Sequence, residues 1–189
     1  SQRTLPPFAR QPFTRWFQAR QTANTGHAHA QVVLFHDTFN TYNDPQIAIA
    51  ATQVLEAAGF EVILPGHRCC GRPMISKGLI DDARQLAADT VQKLYPYAAR
   101  GIPIVGLEPS CLLSLRDDYL YLLPNDNQVE TVAAQAYLFE EFIANLADEG
   151  QLKLQFNKQK QKKNAKSFFF FSPPRIGANE NGENLYPPP

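Results

Sequence analysis

Short apolar runs rich in β-branched residues alternate with longer stretches of helical periodicity, and this alternation constrains the fold more than any other property of the chain. Val32-Val33-Leu34-Phe35 begins after Gln31 and gives way to Asp37 and a polar stretch, the pattern of a short strand buried on both faces. Pro45 then stands where a first helical turn tolerates it, with Asp44 before it as N-cap. Ile47, Ala50, Ala51, Val54, Leu55 and Ala58 share one helical face up to Gly59. The same reading predicts a second strand over residues 60–64, a long helix over residues 77–100 and a third strand over residues 103–107. A helical stretch over residues 131–147 completes the packed region. Right-handed crossovers place helices on both faces of such a sheet and point every strand the same way. The expected architecture is therefore α/β, a three-layer Rossmann-like parallel sheet.

The expected domain spans residues 31–150, and the segments on either side read differently. Residues 1–30 are expected to be an extended linker, because Pro6, Pro7 and Pro12 interrupt any periodicity; Phe8, Phe13, Trp16 and Phe17 suit peripheral docking. His27 and His29 flank Ala28, a spacing that can bind metal, yet Gly, Ala and Thr around them favour a solvated linker. Residues 151–189 turn Lys-rich through Lys166, then run Phe168 to Phe171, then Pro, Gly and Asn. A low-complexity, disordered tail is expected there, of the kind a reading-frame slip would generate. The competing reading is a basic and aromatic anchor at a membrane surface.

Composition narrows the function classes. The 18 basic residues are matched by 18 acidic ones, so the clustered positive charge that nucleic acid requires is missing, and no nucleic-acid partner is expected. No apolar run approaches the roughly 20 residues of a membrane span, and the first thirty residues lack the apolar core of a secretory signal. A cytoplasmic location, or a peripheral one at the inner face of a membrane, is expected.

The chain has three cysteines, Cys69 and Cys70 side by side before Gly71, and Cys111 about one βα unit later. That distribution suggests a metal or redox site more than a disulfide framework. Asp37 follows the first expected strand, Cys69 and Cys70 the second, and Glu108 and Cys111 the third. All five thus fall at the carboxyl edge of the sheet, where open α/β sheets bind ligands. Alternatives stay open: Cys111, and Cys69 with Cys70, also read as small buried hydrophobes, the pair also as a vicinal disulfide, and Asp37 as a turn cap. His67, two residues before Cys69, reads as a fourth ligand or, more simply, as a solvated loop histidine. Arg72 reads as a charge that stabilises a thiolate or as a plain surface residue.

Three segments carry a family resemblance: Val33-Leu34-Phe35-His36-Asp37-Thr38-Phe39-Asn40, Cys69-Cys70-Gly71-Arg72-Pro73 and Val105-Gly106-Leu107-Glu108-Pro109-Ser110-Cys111. In this order, each after a strand, they resemble the cysteine-rich CCG domain of iron-sulfur oxidoreductases, of the heterodisulfide reductase B and glycolate oxidase iron-sulfur subunit type. The combination is most similar to the carboxy-terminal iron-sulfur region of FAD-linked D-lactate and glycolate dehydrogenases. The resemblance implies an electron-transfer segment of a FAD-linked 2-hydroxy-acid oxidoreductase, with the cysteines as ligands of an iron-sulfur cluster of the 4Fe-4S kind. FAD would sit on a flavin domain or subunit outside this chain, and a quinone or other acceptor would receive the electrons indirectly. The family's full pattern places a cysteine before the pair and a Cys-x-x-Cys after it; here Asp37 lies near the first position and Glu108 stands at the first Cys of the second. Family members usually carry two such repeats, and only the first is present, so a second cysteine-rich repeat is an expected partner. The competing expectation is a zinc-binding or purely structural module that docks onto a partner subunit, with the thiols plus His67 or Asp37 as ligands.

Overall fold

Four strands form one sheet: β1 (Ala30–Phe35), β2 (Phe60–Ile63), β3 (Ile104–Gly106) and β4 (Ala136–Leu138), in the order β2-β1-β3-β4. Every pairing is parallel, with Val32 opposite Val62, Leu34 opposite Val105, and Val105 opposite Tyr137. The structure, a computed structural model, describes residues 6–20, 30–152 and 154. His27, His29 and the Lys- and Phe-rich tail therefore lie outside the described residues, which belong to a unit ending at Leu154.

Alternation along the strands builds two cores. Val32, Leu34, Val62 and Val105 face one side, where they meet α1 (Phe13–Ala19), α3 (Pro45–Ala57) and α9 (Phe139–Asp148) through Phe13, Ala48, Leu55, Phe142 and Leu146. Val33, Phe35 and Ile104 face the other side. There they meet α5 (Ile80–Ala98), α6 (Pro109–Arg116), α7 (Asp118–Leu122) and α8 (Asn127–Ala134). Val32, Val33, Leu34, Ile104 and Val105 are fully buried, each stabilising the fold by about 1.5–3 kcal/mol relative to exposure. The architecture is the three-layer α/β sandwich with a parallel sheet that the sequence pattern predicts.

Three local expectations need correction. The helix expected over residues 131–147 is α8, then β4, then α9. Ala136, Tyr137 and Leu138 leave helical geometry because they supply the backbone partners of β3, whose outer edge would otherwise hold unpaired amides. The helix expected from residue 77 begins at Ile80, since Gly78 adopts a left-handed φ of 73° that ends the preceding turn. Within the expected linker, residues 13–19 are α1. Its Phe13 is fully buried, while Phe8, also read as a docking residue, is 79% exposed. Among the described residues, no helix is long and apolar enough to cross a membrane.

Candidate metal centre

The carboxyl ends of the first three strands each lead into a short helix, and the side-chain caps after β1 and β3 and the glycine turn after β2 decide where the site residues point. After β1 comes α2 (Thr38–Tyr42), whose N-cap is Asp37. One Asp37 carboxylate oxygen accepts the Asn40 backbone N–H at 2.9 Å, and the other accepts the Asn40 side-chain amide. Asp37 is buried, and its carboxylate holds the turn together. After β3, Glu108 does the same for α6: one of its oxygens accepts the Cys111 N–H at 2.7 Å and the Ser110 hydroxyl at 2.6 Å. Burial alone would push the Glu108 carboxyl up, but these hydrogen bonds outweigh it and leave the carboxyl below its usual range.

After β2 the chain runs through Cys69 and Cys70 to α4 (Arg72–Ser76). Gly71 makes the junction with φ of 81°, a left-handed conformation that side-chain-bearing residues rarely adopt, and its carbonyl accepts from the Met74 and Ile75 amides. Tyr119, fully buried on α7, donates its hydroxyl to the Cys70 carbonyl at 2.9 Å, which pins the turn from the helical side. Close approach also operates at β3, because a Cβ on Gly106 would lie 2.7 Å from Leu112 Cδ1 and 2.9 Å from Leu112 Cβ. Only glycine lets α6 settle this near the strand and carry Cys111 inward.

These contacts bring the thiols together. Cys70 Sγ lies 3.1 Å from Cys111 Sγ, and Cys69 hydrogen-bonds with the Cys70 thiol; all three cysteines are free. Cys70 is buried and packs in the core beside Phe35, whereas Cys69 and Cys111 are half-buried. Hydrogen bonding with Cys70, then burial, pushes the Cys69 thiol up. Hydrogen bonding with Cys111 and burial push Cys70 up to about 12, against an opposing hydrogen bond from Cys69. Both are therefore protonated near neutral pH without a metal, and a metal would have to displace those protons to bind.

A cleft of about 390 Å³ opens beside Cys69, with His36, Asp37, Thr38, His67 and Arg68 in its lining. His67 is not the solvated loop histidine that its position in sequence suggests. It is buried, stacked on Phe35 with ring centroids 4.1 Å apart, and its Nε2 lies 2.8 Å from the His36 carbonyl, so that nitrogen carries the proton and donates it. Burial, reinforced by the His36 ring, lowers its pKa to about 3. Its Nδ1 is a buried lone pair with no partner among the described residues. The Thr41 hydroxyl donates to the Asp37 carbonyl, so His36 Nδ1, 3.0 Å from the same hydroxyl, must be the donor there. Burial lowers the His36 pKa as well. The neutral His67 imidazole thus ties the loop before Cys69 to the end of β1, while the neutral His36 ring, 4.5 Å from it, bonds to α2.

Arg72 has a charge partner other than the thiols: its guanidinium meets the Asp118 carboxylate at 3.1 Å, and Asp118 also accepts the Ser114 hydroxyl at 2.8 Å. Tyr119, His36 and Thr41 escaped the functional reading of the sequence. Tyr119 shares a spacing with Leu112, Leu115 and Leu122 that marks a helical core face, but nothing local reveals its bond to Cys70.

The donor chemistry fits a soft or borderline metal in part. Three thiols are the right ligand type for an iron-sulfur cluster or zinc. The two carboxylates expected beside them do not fit, being hard donors committed to helix caps. Among the described residues, no three or more His, Cys, Asp or Glu side chains are gathered so as to hold a metal ion by themselves.

Comparison with known proteins agrees with this picture. Residues 33–116 match the family model of the cysteine-rich CCG domain, a span containing every residue placed at the site except Asp118 and Tyr119. The chain is 35% identical over 128 residues to a subunit of the anaerobic glycerol-3-phosphate dehydrogenase of Escherichia coli, an overlap of 67% of this chain and 32% of that protein. It is 30% identical over 88 residues to the D-2-hydroxyglutarate dehydrogenase of Escherichia coli, covering 47% of this chain and 9% of that protein. It is 34% identical over 79 residues to a subunit of the fumarate reductase (CoM/CoB) of Methanothermobacter marburgensis, covering 41% of this chain and 15% of that protein. The chain spans about a third or less of the length of these relatives. No solved structure matches it. Over residues 33–116, its thiol-bearing α/β unit matches the cysteine-rich CCG domain.

Proposed function

We propose that this domain is the electron-transfer segment of a FAD-linked 2-hydroxy-acid oxidoreductase, with Cys69, Cys70 and Cys111 as thiolate ligands of an iron-sulfur cluster. The observation that carries the reading is the convergence of Cys70 Sγ and Cys111 Sγ, 3.1 Å apart, with Cys69 adjacent, at the carboxyl edge of the sheet. When bound, such a cluster passes electrons singly between a flavin and an acceptor. The chain's own contribution is to aim the thiols: the Gly71 turn, the Tyr119 bond to Cys70 and the Glu108 cap set their positions, and Cys70 lies out of solvent. The remaining ligands come from a second cysteine-rich repeat, and FAD from a flavin domain or subunit. An ultimate acceptor such as a quinone fits a peripheral position at a membrane. The names of the relatives, dehydrogenases and a reductase, support redox chemistry as the class.

The orphaned Nδ1 of His67 is the observation behind a second reading, a structural zinc site of three thiolates and one imidazole, which requires these four side chains to draw closer together than they stand. Anaerobic reconstitution of the chain with iron and sulfide separates the two. Broad visible absorption that disappears in Cys70→Ser supports the cluster, whereas a colourless protein that takes up stoichiometric zinc supports the structural site. A reduced protein that binds neither overturns the zinc site, and failure to form the cluster when the second cysteine-rich repeat is supplied as well overturns the other.

A further inference from the structure

We propose that Cys70 and Cys111 form a reversible disulfide, a modification site whose oxidant is a low-molecular-weight disulfide. Their sulfurs are 3.1 Å apart, although the residues come from different elements. Each is held in place independently. Cys70 is fixed by the left-handed Gly71 turn and by Tyr119 on its carbonyl, Cys111 by the Glu108 cap on its amide. The approach of the two thiols is thus a product of the fold, and no large backbone movement is needed to join them.

Two distances bracket the observed one. A disulfide bond is about 2.0 Å long, so the pair must close by about 1 Å. Two thiolates sharing one tetrahedral zinc at about 2.3 Å each stand about 3.8 Å apart, so for such a metal the same pair must open by about 0.7 Å. Bonded sulfurs also have no thiolate to offer. Disulfide and metal are therefore alternative states of one pair, and oxidation closes the site to loading; this consequence, unlike the pairing, rests on the reading under Proposed function.

Cys111 is half-buried and Cys70 is 4% exposed, which assigns the order of events. The Cys111 thiolate attacks one sulfur of glutathione disulfide, forming a mixed disulfide and releasing one glutathione. Cys70 then gives up its proton and displaces the second glutathione from Cys111, leaving the Cys70–Cys111 bond. The two protein thiols lose two protons and two electrons, and one glutathione disulfide becomes two glutathiones. Excess dithiothreitol reverses both steps.

The test uses the full, metal-free chain. It is incubated with glutathione disulfide, quenched with a maleimide under denaturing conditions and mapped by mass spectrometry. The expected result is loss of two of the three free thiols without retained glutathione, with Cys69 the residue that the maleimide labels. Cys69→Ser should still lose both remaining thiols, which assigns the bond, since Cys69 and Cys70 fall in one tryptic peptide. Cys70→Ser should stop at a glutathione adduct on Cys111. A Cys69–Cys70 or Cys69–Cys111 bond, or stable glutathionylation of the wild-type chain, overturns the proposal. Zinc uptake read on the same samples separates the two claims. Uptake by the reduced chain without any disulfide on oxidation removes the pairing and leaves the metal reading. Pairing in a chain that binds no zinc, and forms no cluster even with the second cysteine-rich repeat supplied, does the reverse.

Discussion

The hydroxyl of Tyr119 and the carbonyl of Cys70 meet inside the protein, where neither can turn to water instead. Tyr119→Phe removes the donor and keeps the ring, so the carbonyl is left unsatisfied at a cost of about 1–3 kcal/mol. Urea unfolding should show that loss, and Cys70 should label faster with a maleimide in the native state; an unchanged midpoint and labelling rate would show that the bond does not hold the turn. His67 gives a pH dependence. Its pKa is about 3 in the fold against an ordinary 6.5, so between those values the unfolded chain binds more protons. The stability contributed by neutral His67 is complete above pH 6.5 and declines as the pH falls toward 3, by up to about 1.4 kcal/mol per pH unit. His67→Gln keeps an amide donor near the His36 carbonyl without the titration, and should flatten the acid limb of stability against pH in the metal-free protein. An identical slope would exclude His67 as its source. At this scale the convergence of the three cysteines was legible, because Cys69 and Cys70 follow the second strand and Cys111 the third of one parallel sheet. The roles of Asp37 and Glu108 stayed open, since a residue that caps a helix and one that binds a metal look alike when both follow a strand. The burial of His67 depends on a ring partner, Phe35, that is 32 positions away in sequence and adjacent only in space.

Elements carry the thiols to one another, and α6 does so by lying almost on β3. The contact has a single weak point, Gly106, where a Cβ would come within 2.7 Å of Leu112 Cδ1. Leu112 is fully buried and cannot swing out to solvent, so Gly106→Ala must push α6 outward. Overpacking of this kind typically costs about 1–3 kcal/mol. Because Cys111 rides on α6, the variant should also form the Cys70–Cys111 bond more slowly than wild type. Pairing at the wild-type rate together with wild-type stability would show that the strand and helix have room to spare. The strand-helix alternation made β1, β2 and β3 legible, since each is a short apolar run between turn residues. It did not reveal β4, three residues long and partly exposed, whose Ala136-Tyr137-Leu138 fits a helical face as well as a strand. Only the unpaired edge of β3 selects the extended form, and an edge is a property of the sheet.

Across the whole molecule, one sheet divides two cores, and the thiol cluster belongs to only one of them: Cys70 packs with Phe35, Ala83 and Leu112, while Phe13 packs with Val32, Leu34 and Leu55 on the opposite face. The helix that brings Phe13 had no clear sequence signature, because seven residues between prolines and polar stretches are too few to show a period. Its stability comes from docking. Phe13 is fully buried, Trp16 stacks on it at 5.9 Å and Phe17 meets it edge-on at 5.7 Å, and Arg20 lies 3.3 Å over the Phe17 ring while bonding Glu56 of α3 at 2.9 Å. If α1 is an integral part of the second core, Phe13→Ala leaves a cavity that the sheet cannot collapse around, costing about 3–5 kcal/mol. The unfolding transition should stay single, because both cores share β1 and neither face persists without it. The yield of the Cys70–Cys111 bond in the native protein should be unaffected, since the lost side chain lies behind the sheet from Cys70. A cost below about 0.5 kcal/mol, the range of surface substitutions, would return α1 to the status of a docked linker. A large cost that also abolished thiol pairing would mean instead that the two faces are coupled through β1, and that the position of the thiols depends on packing across the whole sheet.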